Sequence, residues 1–171
     1  MKKEIQFIVL RYILILLAGL GNLYLFYKIL TPLTVKAISA ILSTQGEVFV
    51  KGASIITENI TILLVPACIA GAAFYLLFIL ILSTPNIKSI KRIKILFYSF
   101  ATLFILNIAR IILLFLVLNQ PYFETIHWIF WHLVSTIFVV GIWISAVYIF
   151  KIKSIPIYDD VRYVLGLIKR T

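Results

Sequence analysis

The sequence predicts an all-α integral membrane protein, a single membrane domain over 1–171 built as a bundle of about four transmembrane helices. Three observations predict it. Hydrophobic residues make up 63% of the 171 residues and the mean hydropathy is +1.13, far above the roughly half-apolar composition of soluble domains. Four stretches are apolar over the roughly 20 residues needed to cross roughly 30 Å of hydrocarbon. Lys and Arg gather in alternate connections between those stretches.

The first span is about 12–30, reaching back toward Ile5. It is too long for a signal-peptide core and has no convincing small-residue cleavage site after it, so it reads as a retained helix. Residues 31–61 follow as an extracytoplasmic segment. In "TPLTVKAISAILSTQG", Val35, Ile38, Ile41 and Leu42 share one helical face, which predicts a short amphipathic interfacial helix. In "EVFVKGASIITENITI", β-branched runs flank Lys51-Gly52 and predict a small hairpin.

The second span is 62–83. Pro66 is favoured at the first position of a helix, so this helix is expected to begin near Pro66. A short loop at 84–92 leads to the third span at 93–118. The fourth is 127–150, and the tail 151–171 reads as an amphipathic surface segment.

The basic residues orient the spans. Lys2, Lys3 and Arg11, then Lys88, Lys91, Arg92 and Lys94, then Lys151, Lys153, Arg162, Lys169 and Arg170 fall on one side. The other side has Lys28, Lys36 and Lys51. The positive-inside rule puts both termini and the 84–92 loop in the cytoplasm. The net charge of +10 is accordingly read as topology and contact with anionic membrane lipids, not as a nucleic-acid footprint. A single cysteine excludes an internal disulfide and a multi-thiolate metal site. No metal and no cofactor is expected.

Polar side chains at membrane depth are costly, at least about 2.5 kcal/mol for a charge on insertion scales, and so point to sites. Arg110, in "FILNIARIILLF", lies about 12 Å from the helix end at 1.5 Å per residue. Asn107 precedes it by three residues and shares its face. His132, in "HWIFWHLVSTIF", shares a face with Ser135 and Thr136. His127 lies at the expected membrane edge among Trp128 and Trp131, as in an aromatic belt. Counting from the turns aligns three of these groups. Cys68 lies twenty-one residues before Ser89, and Arg110 twenty-one after it; Arg110 lies eleven before Pro121, and His132 eleven after. All three are expected level in the outer leaflet.

Cys68 is then more than a small hydrophobe. In the first turn of a helix, unpaired amides and the dipole favour a thiolate. His132 could take and return its proton, and Arg110 could stabilise an oxyanion. The small residues Ala67, Ala70, Gly71, Ala72 and Ala73 would let neighbouring helices approach.

The run "VPACIAG", then "NIAR", then "HLVSTIF", resembles the exosortase/archaeosortase pattern over about residues 33 to 150. That family carries Cys, Arg and His in this order on consecutive membrane helices. The resemblance implies a membrane-embedded cysteine transpeptidase. Its partners would be exported proteins with a C-terminal tripartite signal of motif, membrane helix and basic cluster. It implies Cys68 as nucleophile, Arg110 as electrophilic aid and His132 as acid/base. Asn107, on the Arg110 face, and Ser135 and Thr136, on the His132 face, are the candidate supporting or substrate-binding residues by helical spacing. Two other classes remain open. One is a non-enzymatic assembly or lipid-binding protein with Arg110 on a lipid phosphate. The other is a channel or transporter subunit, for which a single intramembrane charge is a poor fit.

Overall fold

The computed structural model describes residues 2–168 apart from 22, 45, 59, 119 and 131–134, and the side chains at 2, 3, 135, 167 and 168 also lie outside that description. The chain is mostly helical. Its order is α1 (Lys2–Gly19), α2 (Tyr24–Leu42), β1 (Val48–Lys51), β2 (Ser54–Thr57), β3 (Thr61–Leu63), α3 (Pro66–Ile69), α4 (Gly71–Leu82), α5 (Ser89–Leu116), α6 (Phe123–Ile129), α7 (Ser135–Ile149) and α8 (Tyr158–Ile168). Among these, α2 and α5 are long and apolar enough to cross a membrane, while α4 and α7 are apolar but shorter. Four continuous spans are therefore not what the described helices display.

The expected helix at 12–30 is broken. Gly21 and Leu23 have φ of 66° and 61°, a left-handed conformation that ends α1 and restarts the chain as α2. The direction is kept: Arg11 meets Leu82, Gly19 meets Tyr75 and Tyr27 meets Gly71, so α1 and α2 both run antiparallel to α4. No separate interfacial helix starts after Leu30. Instead α2 continues through Pro32 to Leu42, because Phe26, Leu30, Thr34, Val35, Ile38 and Leu42 form one buried stripe. Proline removes a single amide donor, and that burial outweighs it.

The expected two-stranded hairpin is a three-stranded antiparallel sheet in the order β1-β2-β3, so the fold is not purely α. β3 comes from residues expected at the start of the second span. A short apolar β-branched run has no periodicity that separates strand from helix.

The core runs along the helices and under the sheet. Ile38, Ile55, Leu64, Ile69, Phe74, Leu77 and Leu103 are buried in one cluster. Gly71 lets Tyr27 approach closely: a Cβ there would stand 2.8 Å from the Tyr27 ring, which would have to shift. A second small cluster of Ile81, Ile95 and Ala146 joins α4, α5 and α7, and Tyr98 hydrogen-bonds Ser145 between α5 and α7 at 3.1 Å.

At one end, Arg11 donates to both carboxylate oxygens of Asp160 at 2.8 and 2.9 Å and to the carbonyls of Leu82 and Thr84. Arg92 donates to the Thr84 carbonyl at 2.7 Å. This clasp binds the start of the chain, the 84–92 loop and the tail together.

Candidate active site

Cys68 lies in α3, a single turn between two interruptions. Val65 is extended and Pro66 opens the turn, as the sequence led one to expect. The turn does not continue. Ala70 adopts φ 58°, ψ 31°, and α4 starts afresh at Gly71. The thiol is thus not in the first turn of a long helix. The dipole of a four-residue turn is small, since the macrodipole needs many aligned peptides.

The break has a second consequence. It strips the carbonyls of the turn of their helical partners, and a buried carbonyl left unmet costs about 1–3 kcal/mol. Helix α5 supplies the partners. Asn107 Nδ2 donates to the Cys68 carbonyl at 2.8 Å, and Arg110 Nη2 donates to the carbonyls of Ala67 at 3.0 Å and Cys68 at 3.3 Å. Both side chains are deeply buried, Asn107 being 2% exposed and Arg110 4%. Their three-residue spacing puts both on the face of α5 that meets α3. An interrupted helix in an apolar setting is tolerated when neighbouring side chains re-satisfy the freed backbone in this way.

Cys68 is half-buried and is a free thiol. It borders two cavities. One, of about 10 Å³, is lined by Ala67, Cys68, Arg110, Leu114, His127 and Phe130. The other, of about 300 Å³, is bounded by Cys68, by β3, by apolar residues of α2 and α5, and by Phe123 and His127 of α6. His127 therefore faces both spaces beside the thiol, its ring stacked on Phe123 with centroids 5.6 Å apart.

Of the expected site, the structure brings together Cys68, Asn107 and Arg110. His132 lies outside the described residues, as does the side chain of Ser135. Thr136 is exposed and lines neither cavity at Cys68. His127, expected as an aromatic-belt residue, is instead a cavity-lining residue. The count from Pro121 that aligns His132 with Arg110 ends on a residue outside the described ones; the described helices on either side are α6, to Ile129, and α7, from Ser135. The i, i+4 pairing of Phe123 with His127 is the sequence signal for the ring's placement. Among the described residues, no group of three or more His, Cys, Asp and Glu could hold a metal ion.

Comparison with protein families, with curated proteins and with solved structures finds no match to this chain.

Proposed function

We propose that the protein is a membrane-embedded cysteine transpeptidase of the exosortase/archaeosortase type. It would cut the C-terminal sorting signals of exported surface proteins and pass the new C-terminus to an acceptor such as a lipid. The observation that carries this reading is the convergence of Asn107 and Arg110 on the turn that bears the only thiol, beside an apolar cavity that Cys68 lines.

In this reading the Cys68 thiolate attacks a substrate carbonyl carbon. The C–N bond then breaks, the amine leaves with a proton from a histidine, and a thioester remains on Sγ. The acceptor, deprotonated by the same histidine, attacks the thioester and returns the thiolate. Arg110 lends its positive charge to the tetrahedral oxyanion. The family pattern gives the histidine role to His132.

The same reading has four crossings, with both termini cytoplasmic and the sheet and thiol toward the extracytoplasmic side. The Lys/Arg bias supports it. So does the clasp of Arg11, Thr84, Arg92 and Asp160, which gathers at one end the three segments assigned to the cytoplasm.

A second reading is favoured by one feature: Arg110 Nη2 is engaged by backbone carbonyls of the turn. Asn107 and Arg110 would then only hold a broken helix in a non-enzymatic membrane protein. Cys68→Ala separates the two. Mass spectrometry of the wild-type protein incubated with an anchored substrate and no acceptor should find the acyl adduct on Cys68, and Cys68→Ala should abolish processing. Full processing by Cys68→Ala would overturn the enzyme reading.

A further inference from the structure

Strand β3 is an edge of the sheet, and the pairing register tells which of its main-chain groups are used. Leu64 donates its amide to the Ala53 carbonyl at 3.0 Å and Thr57 to the Ile60 carbonyl at 2.9 Å. Ile62 lies opposite Ile55, Leu63 opposite Ser54 and Thr61 opposite Ile56. In an antiparallel ladder, hydrogen-bonded and non-hydrogen-bonded pairs alternate. Residues 60, 62 and 64 therefore face β2. The N–H and C=O of Thr61 and Leu63 point the other way, with no main-chain partner on that side among the described residues.

That open edge is not remote from the chemistry. Residues 61 to 65 and Cys68 line the same cavity of about 300 Å³. Its volume is at the small end of ligand pockets, roughly 300–1,000 Å³. Leu63 and Cys68 are five residues apart, so at most about 17 Å separates the edge from the thiol even if fully extended. An acyl chain would suit the cavity walls but offers nothing to an amide or a carbonyl. An extended peptide satisfies both requirements: its main chain pairs with the edge and its alternate side chains enter the cavity.

We propose that the substrate binds as an added strand on the free edge of β3, paired through Thr61 and Leu63, with an apolar side chain in the cavity beside Cys68. This deepens, and rests on, the peptidase reading. It implies that affinity comes from the peptide backbone, that the substrate is extended near the cut, and that the scissile bond lies within about five residues of the paired segment.

The test separates docking from chemistry by using full-length Cys68→Ala protein in detergent micelles. The probe is a fluorescein-labelled octapeptide of alternating serine and apolar residues, blocked at both ends. Its control is the same peptide N-methylated at every second residue. Binding is expected, and N-methylation on the pairing edge should weaken it about tenfold, the scale of one or two net hydrogen bonds. Leu63→Pro should weaken it similarly. It removes an amide that faces outward, so the ladder to β2 keeps its bonds. Leu63→Ala keeps that amide and should retain backbone-dependent binding. Unchanged size-exclusion elution would show that each variant is folded.

Absence of peptide binding, equal affinity for the N-methylated peptide, or full binding by folded Leu63→Pro would overturn the proposal. So would a dimer that dissociates in Leu63→Pro, which would assign the edge to a second copy of this chain. N-methyl-sensitive binding by Cys68→Ala, together with no acyl adduct on wild-type Cys68, would sustain the docking strand and overturn the peptidase reading alone.

Discussion

Asn107 Nδ2 donates to the carbonyl of Cys68 at 2.8 Å, joining the middle of α5 to the turn that holds the thiol. The amide carries no charge, so its role can be separated from that of Arg110. Asn107→Leu keeps similar bulk and removes the donor. A buried carbonyl left short of a partner should cost about 1–3 kcal/mol. Thermal unfolding in detergent should register this loss, and the Cys68 thiol should react faster with a maleimide as its turn loosens.

Ala70 should respond in the opposite sense. Its left-handed conformation, φ 58° and ψ 31°, costs a non-glycine residue roughly 1–2 kcal/mol. Ala70→Gly relieves that strain but adds freedom to the unfolded chain worth about 0.4–1 kcal/mol. A net gain of about 0.5–1 kcal/mol in unfolding free energy is expected. Ala70→Val should destabilise, because a β-branched side chain fits this conformation poorly. It should also displace Cys68 and lower processing.

The contrast between these two residues shows what the sequence carried. Cys68 and Arg110 were legible as neighbours because an antiparallel helix pair with a short loop fixes equal counts at equal height. Asn107 followed from its three-residue spacing. The break at Ala70 was not legible. Alanine is the best helix former, and nothing local marks the one position where tertiary contacts from Asn107 and Arg110 make a break affordable. The placement of His127 beside the thiol was not legible because a histidine among tryptophans at a membrane edge fits an aromatic belt equally well. β3 was lost to the apolar run that precedes Pro66.

The two histidines should separate by kinetic effect. His132→Ala should abolish formation of the acyl adduct, as the family pattern implies for the proton carrier. His127→Ala should raise KM with a smaller effect on kcat, because its ring lines the cavity in which the substrate is proposed to sit. Single-turnover and steady-state kinetics on both variants check this. Loss of the adduct in His127→Ala with retention in His132→Ala would transfer the acid/base role to His127.

Asp160 tests the clasp and, through it, the orientation of the chain. Asp160 is 4% exposed and holds Arg11 through both oxygens. Asp160→Asn leaves a buried guanidinium without its counter-charge, a loss on the order of 3–5 kcal/mol. The double change Arg11→Met, Asp160→Leu should cost less. Tyr163 also donates to Glu4 and holds that carboxyl below the usual carboxylate range. This exposed contact is present above the ordinary carboxylate pKa and is lost as pH falls through the lowered value. Release of the tail should appear as faster proteolysis of α8 in Asp160→Asn, and modestly in wild type at acid pH. In intact cells, with Cys68 replaced by Ala, Gly52→Cys should label from outside and Ser89→Cys should not.

Arg110→Lys decides whether the guanidinium does more than hold the turn. Lysine keeps the charge but replaces the planar fork with one nitrogen on a flexible stem. It cannot reproduce the two bonds from Nη2 to the Ala67 and Cys68 carbonyls with the same geometry. If those bonds were the whole role, Arg110→Lys and Asn107→Leu would each loosen the turn and lower kcat by comparable factors. If Arg110 also serves the oxyanion, the two variants should diverge. Removing an oxyanion donor typically costs about 2.7–4 kcal/mol, or roughly a hundredfold to a thousandfold in kcat. The expected result is a fall of that size in Arg110→Lys and a much smaller one in Asn107→Leu. Both should have similar losses in unfolding free energy, so stability alone would not account for the difference. Equal falls in kcat would restrict Arg110 to positioning the cysteine turn.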